Sequence, residues 1–198
     1  MGTTRGFFRR RSGDDERLPP GQYLERGFPV LSAGPTPHVP LDQWDFSITG
    51  SLSEERSWTW DEFLALPRED FTVDIHCVTT WTKLDTQWTG VSVDTLLDGV
   101  ELEGGYLTAL CDGGYTTNLP VEDVTGGKAW VVYQYDGEEL EPEHGGPARL
   151  LVPHLYFWKS AKWVRRLIFT DEDEPGFWEQ LGYHDRGDPW LEQRYQGD

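Results

Sequence analysis

The chain has 198 residues, 35 of them acidic against 17 basic, for a formal net charge of −18. That length allows one well-buried core without demanding a second domain, and the acidity excludes nucleic acid, whose phosphates require clustered Lys and Arg; no apolar run is long enough to span a bilayer. Ten Trp, nine Phe and eight Tyr supply bulky apolar surface, while 22 Gly and 13 Pro favour strands and turns over a helical bundle.

Residues 1–27 read as a basic arm, disordered or laid on the surface, because Arg5, Arg9, Arg10, Arg11 and Arg17 all fall there. The run from Arg5 to Arg11 has the outline of a twin-arginine export signal. The polar, proline-bearing stretch Ser12 to Gln22 stands where its apolar segment should be, so a cytoplasmic location is expected, in which a Cys77 to Cys111 disulfide would not persist. Beyond the arm the chain is even more acidic, with four lysines in all: Lys83, Lys128, Lys159 and Lys162. Such a surface keeps a protein soluble in strong salt and predicts a halophilic host.

Phe28 to Pro40 is an extended Pro/Gly segment that must cross a surface. Trp44, Phe46 and Ile48 alternate as a strand, and Thr59-Trp60-Asp61-Glu62 is a capping box that predicts a short helix from Trp60 to Leu66, stopped by Pro67. Phe71, Val73 and Ile75 alternate with Thr72, Asp74 and His76, a half-buried strand that delivers Cys77 to the loop Val78-Thr79-Thr80-Trp81. A second capped helix is expected over Ser92–Leu97 and a strand over Tyr106–Leu110. A helix should start at Pro120, and Ala129–Tyr135 should form a hairpin with Glu138–Leu140 across the Asp136-Gly137 turn. Arg149–Val152 and Val164–Phe169 are the last strands, and Glu174–Leu181 a final helix. The fold class is α+β, mainly β, with a core domain over 28–170 and a C-terminal helix and tail over 171–198 clamped by Trp178, Tyr183 and Trp190.

A thiol at a strand end suits metal ligation, nucleophilic attack or sulfur pairing, against the plainer alternative of a small buried hydrophobe. Two cysteines 34 residues apart and five scattered histidines do not make a zinc site. His76 is a poor base for Cys77, since neighbours on a strand point to opposite faces. Farther on, His144-Gly145-Gly146-Pro147-Ala148-Arg149 sets an imidazole and a guanidinium at the ends of a glycine-proline turn, able to grip an anionic or heterocyclic ligand. Lys159-Ser160-Ala161-Lys162-Trp163 keeps two of the four lysines within four residues, which suggests a negatively charged contact. Cys111 reads as buried and inert.

On the Cys77 loop ending in Trp81, the run from His144 to Arg149 and the run from Lys159 to Trp163, the chain resembles the sulfite oxidase family of molybdenum enzymes over roughly Phe28 to Thr170. The resemblance implies a single-domain, mainly β molybdopterin-binding fold that holds molybdenum and one pyranopterin dithiolene. Carried over residue by residue, Cys77 would be the thiolate ligand to the metal. His144, Arg149, Lys159, Ser160 and Lys162 would bind the pterin and its phosphate, with Val30 and Leu31 against the pterin. Trp81, Tyr115, Thr117 and Asn118, with Trp88, are candidates for the substrate pocket. Sulfite oxidases proper follow the ligand cysteine with a glycine-asparagine-arginine run, whereas Val78-Thr79-Thr80-Trp81 looks closer to the bacterial protein methionine sulfoxide reductase catalytic subunit. Reduction of a small neutral sulfoxide or N-oxide is therefore expected over sulfite oxidation, with a separate electron donor or acceptor protein. A pterin-binding module without turnover, and a cofactor-free thiol enzyme using Cys77, are the other readings.

Overall fold

A computed structural model describes residues 13–198. The strands, in chain order, are β1 (Tyr23–Leu24), β2 (Asp45–Gly50), β3 (Arg56–Thr59), β4 (Glu69–His76), β5 (Trp81–Ser92), β6 (Tyr106–Cys111), β7 (Thr116–Pro120), β8 (Trp130–Tyr135), β9 (Glu138–Glu139), β10 (Arg149–Leu151) and β11 (Val164–Thr170). Two short helices, α1 (Trp60–Leu64) and α2 (Val93–Leu96), complete the regular structure. The strands form two sheets. One runs β1-β5-β8-β10, with β4 also paired to β5 and β9 to β8; the other runs β3-β2-β11-β6-β7. Pairing is antiparallel except for β1 with β5 and β2 with β11.

The main core brings together residues of both sheets, among them Phe46, Leu107 and Leu167 of the second and Val91, Val131 and Leu150 of the first. The first sheet is covered on its other side as well, by a separate cluster of Ile75, Cys77, Trp81, Trp88, Trp130 and Val132. Strand β8 therefore alternates between two buried environments, Val131 and Tyr133 in one, Trp130 and Val132 in the other. This is why Ala129–Tyr135 reads as an unbroken apolar run. The alternation continues on β10, where Leu150 joins the main core while Leu151 joins the outer cluster, on the side of the sheet that carries Cys77.

The capping box at Thr59 forms as the sequence requires: the Glu62 amide donates to Thr59 Oγ1 at 3.5 Å, and Glu62 Oε2 accepts from the Thr59 amide at 2.8 Å. Ser92 likewise caps α2. Two predicted helices are absent. Thr116–Pro120 is a strand in register with β6, and only a single 3₁₀ turn, Val121–Asp123, follows it. The expected helix over 174–181 is reduced to the 3₁₀ turn Glu179–Leu181. Phe177 N donates to Thr116 O at 2.9 Å and Gly176 packs onto Thr117, where an added Cβ would come within 2.5 Å of its Cα, so this segment is held extended against β7.

The longest strand, β5, had no sequence signal. Its middle is polar, yet its threonines are satisfied internally: Thr86 donates to Val73 O at 2.5 Å and Thr89 to Asp70 Oδ1 at 2.6 Å. Gly90 marks its register shift against β8, because any side chain there would meet the Val131 carbonyl at 2.5 Å. Of the N-terminal arm, residues 13–27 lie on the domain. β1 pairs with Trp81 and Thr82, and Arg17 bonds Asp74 at 2.5 Å and Asp85 at 2.7 Å. Arg5, Arg9, Arg10 and Arg11 lie outside the described residues. No described helix is long and apolar enough to cross a membrane.

Candidate functional site

Strand β4 ends at His76, and the chain turns at once. Thr80 N donates to Cys77 O at 3.0 Å and Cys77 N to Trp81 O at 2.8 Å, with Thr80 in the left-handed region at φ +74°. This tight turn fixes Cys77 at the head of β5 and is braced from both ends of the chain. Gln22 Nε2 donates to Cys77 O at 3.1 Å, and Arg194 Nη1 donates to Val78 O at 3.0 Å. The thiol is 6 % exposed, and its Sγ lies 3.1 Å from Thr79 Oγ1. Burial raises its pKa above the ordinary thiol value, opposed by the Thr79 hydrogen bonds and the Arg194 charge.

Cys77 and Trp81 form part of the wall of a cavity of about 570 Å³. The extended segment from Phe28 to Pro37 supplies another wall, and the turn from His144 adjoins it. Gly145, at φ +110°, lets this turn pack against Arg149 and Lys162, which an added Cβ would meet at 3.1 Å. The His144 ring stacks on Phe28, centroids 4.0 Å apart and planes 12° from parallel. Burial, then the charges of Arg149 and Lys162, holds its pKa below the ordinary imidazole value.

Arg149 is 1 % exposed and makes no ion pair with a carboxylate among the described residues. Its Nη atoms donate to the carbonyls of His144 at 2.7 Å and Ser160 at 2.5 Å, Phe157 lies under its guanidinium at 4.1 Å, and its Nε has no partner. Burial pushes its pKa down to about 9. A guanidinium held in place by carbonyls, with an open donor and an unbalanced charge, is half of an anion site. Lys162 stands close by. Its Nζ donates to Leu31 O at 2.8 Å and Glu143 O at 2.6 Å, and burial, then Arg149, lowers its pKa to about 8. Soft sulfur, imidazole, guanidinium and ammonium thus share one cavity, a donor set that fits a metal-dithiolene group with an anionic end.

Eight of the predicted site residues line this cavity: Leu31, Cys77, Trp81, Tyr115, His144, Arg149, Ser160 and Lys162. Four do not. Val30 is turned outward by the alternation of the extended segment, 45 % exposed between the lining residues Pro29 and Leu31. Lys159 points into the interior, where its Nζ meets Glu179 Oε1 at 2.7 Å and the Asn118 carbonyl at 2.8 Å. Thr117 donates to the same Glu179 oxygen at 2.9 Å, and Asn118 Nδ2 donates to Asp173 at 2.7 Å. These three side chains hold the C-terminal segment onto β7 and leave no room for a role at the cavity surface. Trp88 is likewise packed behind the wall, its indole N–H donating to Thr86 Oγ1 at 2.8 Å.

Trp158 and Tyr183, not predicted as site residues, also line the cavity. Trp158 Nε1 donates to Glu179 at 2.9 Å, and Tyr183 packs edge-on against Trp158 at 5.2 Å. Burial raises the Tyr183 pKa, with further contributions from Tyr195 and from Cys77. The aromatic density of residues 177–183 was the only available signal. Among the lining residues Arg149 and Lys162 are the only Lys or Arg, and the one carboxylate, Asp112, faces Arg165 at 3.3 Å. The rest of the wall is largely aromatic and aliphatic.

Comparison with known proteins agrees with this geometry. Residues 33–178 match the family model described as the oxidoreductase molybdopterin binding domain. The chain is 43 % identical over 192 residues to the uncharacterized oxidoreductase YuiH of Bacillus subtilis, covering 96 % of this chain and 97 % of that one. It is 30 % identical over 139 residues to the putative protein-methionine-sulfoxide reductase subunit YedZ1 of Azospira oryzae, covering 69 % of this chain but 53 % of that protein. In fold it is similar to the sulfane dehydrogenase SoxCD of Paracoccus pantotrophus, with a TM-score of 0.63 and 24 % identity, over 70 % of this chain and 41 % of that one.

Proposed function

Since the chain belongs to the oxidoreductase molybdopterin binding domain family, we propose that Cys77 holds its molybdenum and that the enzyme transfers oxygen to or from a small, neutral sulfur or nitrogen substrate. Reduction of a sulfoxide or N-oxide is favoured over oxidation of sulfite. The observation that carries this reading is the placement of Cys77, His144, Lys162 and the buried Arg149, which lacks a carboxylate partner among the described residues, on one largely aromatic cavity.

When bound, the molybdopterin group supplies the two-electron redox change and the oxygen exchange. The chain's own part is to bind, orient and shield. Cys77 gives up its proton on ligation, and the same burial that keeps the free thiol protonated favours neutralising the thiolate with a cation. Arg149 and Lys162 anchor the anionic end, with the Ser160 loop held in place by Val152 N donating to Ser160 Oγ at 2.9 Å. A neutral His144 offers one donor and one acceptor to a heterocycle. Tyr183 lines the cavity, and its raised pKa keeps the phenol protonated, a group able to donate a hydrogen bond to a substrate held there.

The substrate class follows from the wall. With both lining cations assigned to the cofactor and no further Lys or Arg there, a sulfite dianion would enter an apolar mouth on a chain of net charge −18, against the field. A neutral sulfoxide would not be opposed, and the similarity to a putative methionine sulfoxide reductase subunit supports that choice. The cofactor-free thiol reading loses support: the thiol pKa is raised, Thr79 is its hydrogen-bond partner, and the His76 ring bonds Thr82 at 2.9 Å instead.

The test is metal and pterin analysis of protein made in a cofactor-producing host, followed by viologen-driven reduction of methionine sulfoxide. Stoichiometric metal and pterin with turnover are expected, and protein devoid of both would sink the proposal. Cys77→Ser is expected to abolish turnover while most of the pterin stays bound through Arg149 and Lys162. Loss of pterin in that variant with unchanged folding would show the anchors to be misassigned.

A further inference from the structure

The C-terminal segment carries exposed apolar side chains that do not line the cavity. Residues 182–184 and 194–196 run side by side, Gln196 N donating to Gly182 O at 3.0 Å and His184 N to Arg194 O at 3.2 Å. The loop between them is closed by Gln193 N donating to Asp188 O at 3.0 Å. This arrangement leaves Leu181, Trp190, Leu191 and Tyr195 between 49 and 65 % exposed. Tyr23, 52 % exposed, belongs to the neighbouring N-terminal run, whose Pro20 carbonyl accepts from Arg194 Nη2 at 3.5 Å. Four large side chains left in water within fifteen residues of so polar a chain mark a contact surface.

The charges of this segment are mainly acidic. Asp185, Glu192 and Asp198 are exposed, Glu192 lying 3.9 Å from Arg194 Nη2 and Asp198 accepting from the Arg194 and Tyr195 amides at 3.0 and 2.7 Å. The two arginines of the segment are committed: Arg186 to Asp123 at 2.9 and 3.0 Å, and Arg194 to the Val78 carbonyl and, at 5.1 Å, to the Tyr156 ring. The face also connects to the cavity through rings. Tyr195 packs on Tyr183 at 5.4 Å, and Tyr183 lines the cavity with Trp178 at 5.0 Å and Trp158 at 5.2 Å.

The geometry points to this face as the docking site for a positively charged, one-electron carrier protein, with electrons crossing by the Tyr195 and Tyr183 rings. The inference rests on reading the cavity as a molybdopterin redox site and adds the kind of partner and where it binds. A second copy of the chain would bring two charges of −18 together, and an anionic membrane would meet the same repulsion; a basic protein would be attracted. Reducing one sulfoxide to thioether and water consumes two electrons and two protons. Two carrier molecules therefore dock in turn, each losing one electron, and the protons come from solvent.

Cytochrome c serves as the probe, being a lysine-rimmed carrier of single electrons. Binding is measured by calorimetry, and electron exchange by mixing viologen-reduced holoenzyme with two equivalents of ferricytochrome c, each accepting one electron. Trp190→Ser with Leu191→Ser and Tyr195→Ser, and separately Asp185→Lys with Glu192→Lys, are expected to weaken binding and slow exchange by roughly tenfold or more. Glu101→Lys with Glu103→Lys, in the loop entering β6 of the other sheet, should stay within about twofold at the same change of charge. Viologen-driven sulfoxide reduction should be equal in all of them. Equal losses in face and control variants would overturn the docking site, as would a dimer that the triple serine variant dissociates. Absence of viologen-driven turnover in the unmodified protein would count against the function proposed for the cavity, while the calorimetric comparison would still decide the docking site.

Discussion

Arg149 is built at a cost that only a ligand can offset. Its carbonyl partners position the guanidinium but do not neutralise it, and a buried charge without a counter-ion destabilises the fold. Arg149→Met, which keeps the stem and removes the charge, is therefore expected to leave the apo-protein at least as stable in a thermal melt while cutting pterin content about tenfold. His76 shows the reverse relation between pH and burial. Burial lowers its pKa from 6.5 to about 4, so the unfolded chain binds more protons between those values and stability rises with pH across that window. As pH falls from 6.5 to 4 this one side chain should remove about 3 kcal/mol of unfolding free energy, a loss that denaturant titrations of His76→Gln should not show. At this scale the sequence was informative where a side chain belongs to a compact motif: Cys77, His144, Arg149 and Lys162 all face one cavity. It was silent where the decision is tertiary. Nothing local says that Lys159 meets Glu179 twenty residues on, or that Tyr183 lines the same cavity as the thiol.

Elements followed the sequence wherever local chemistry and tertiary demand agreed. The Thr59 capping box is such a case, and because α1 has only five residues its cap is a large share of its stability. Thr59→Ala should cost about 1 kcal/mol in chemical unfolding and leave the cavity untouched. The strands leading to Cys77 and Arg149 were legible from alternation and from the β-rich run preceding them. β5 was not, because its periodicity lies in threonines that bond to neighbouring strands and not in apolar residues. The missing helix over 174–181 has the opposite cause. Its local preference is overridden by Gly176 against Thr117 and by the ion pair of Glu179 with Lys159. The same override converts Thr116–Pro120 from the approach to a helix into the second strand of a hairpin.

For the molecule as a whole, the net charge of −18 sets the solvent it suits. Repulsion among 35 carboxylates is screened by salt, so the melting temperature is expected to rise from low to molar KCl, and a flat or falling trend would refute halophilic adaptation. Charge was the part of the surface most legible in the sequence; the placement of the apolar C-terminal face depended on which strands the tail crosses. The bracing of the Cys77 turn by Gln22 and Arg194 also bears on how the domain can be moved between proteins. The stretch shared with its family, residues 33–178, excludes both braces, together with Glu179 and Tyr183. A graft of that stretch alone would carry the thiol and the guanidinium to a new host, yet leave Lys159 as a bare charge in the interior and the thiol on an untethered hinge. The transferable unit is thus wider than the recognisable one, and both of its margins converge on a single sulfur.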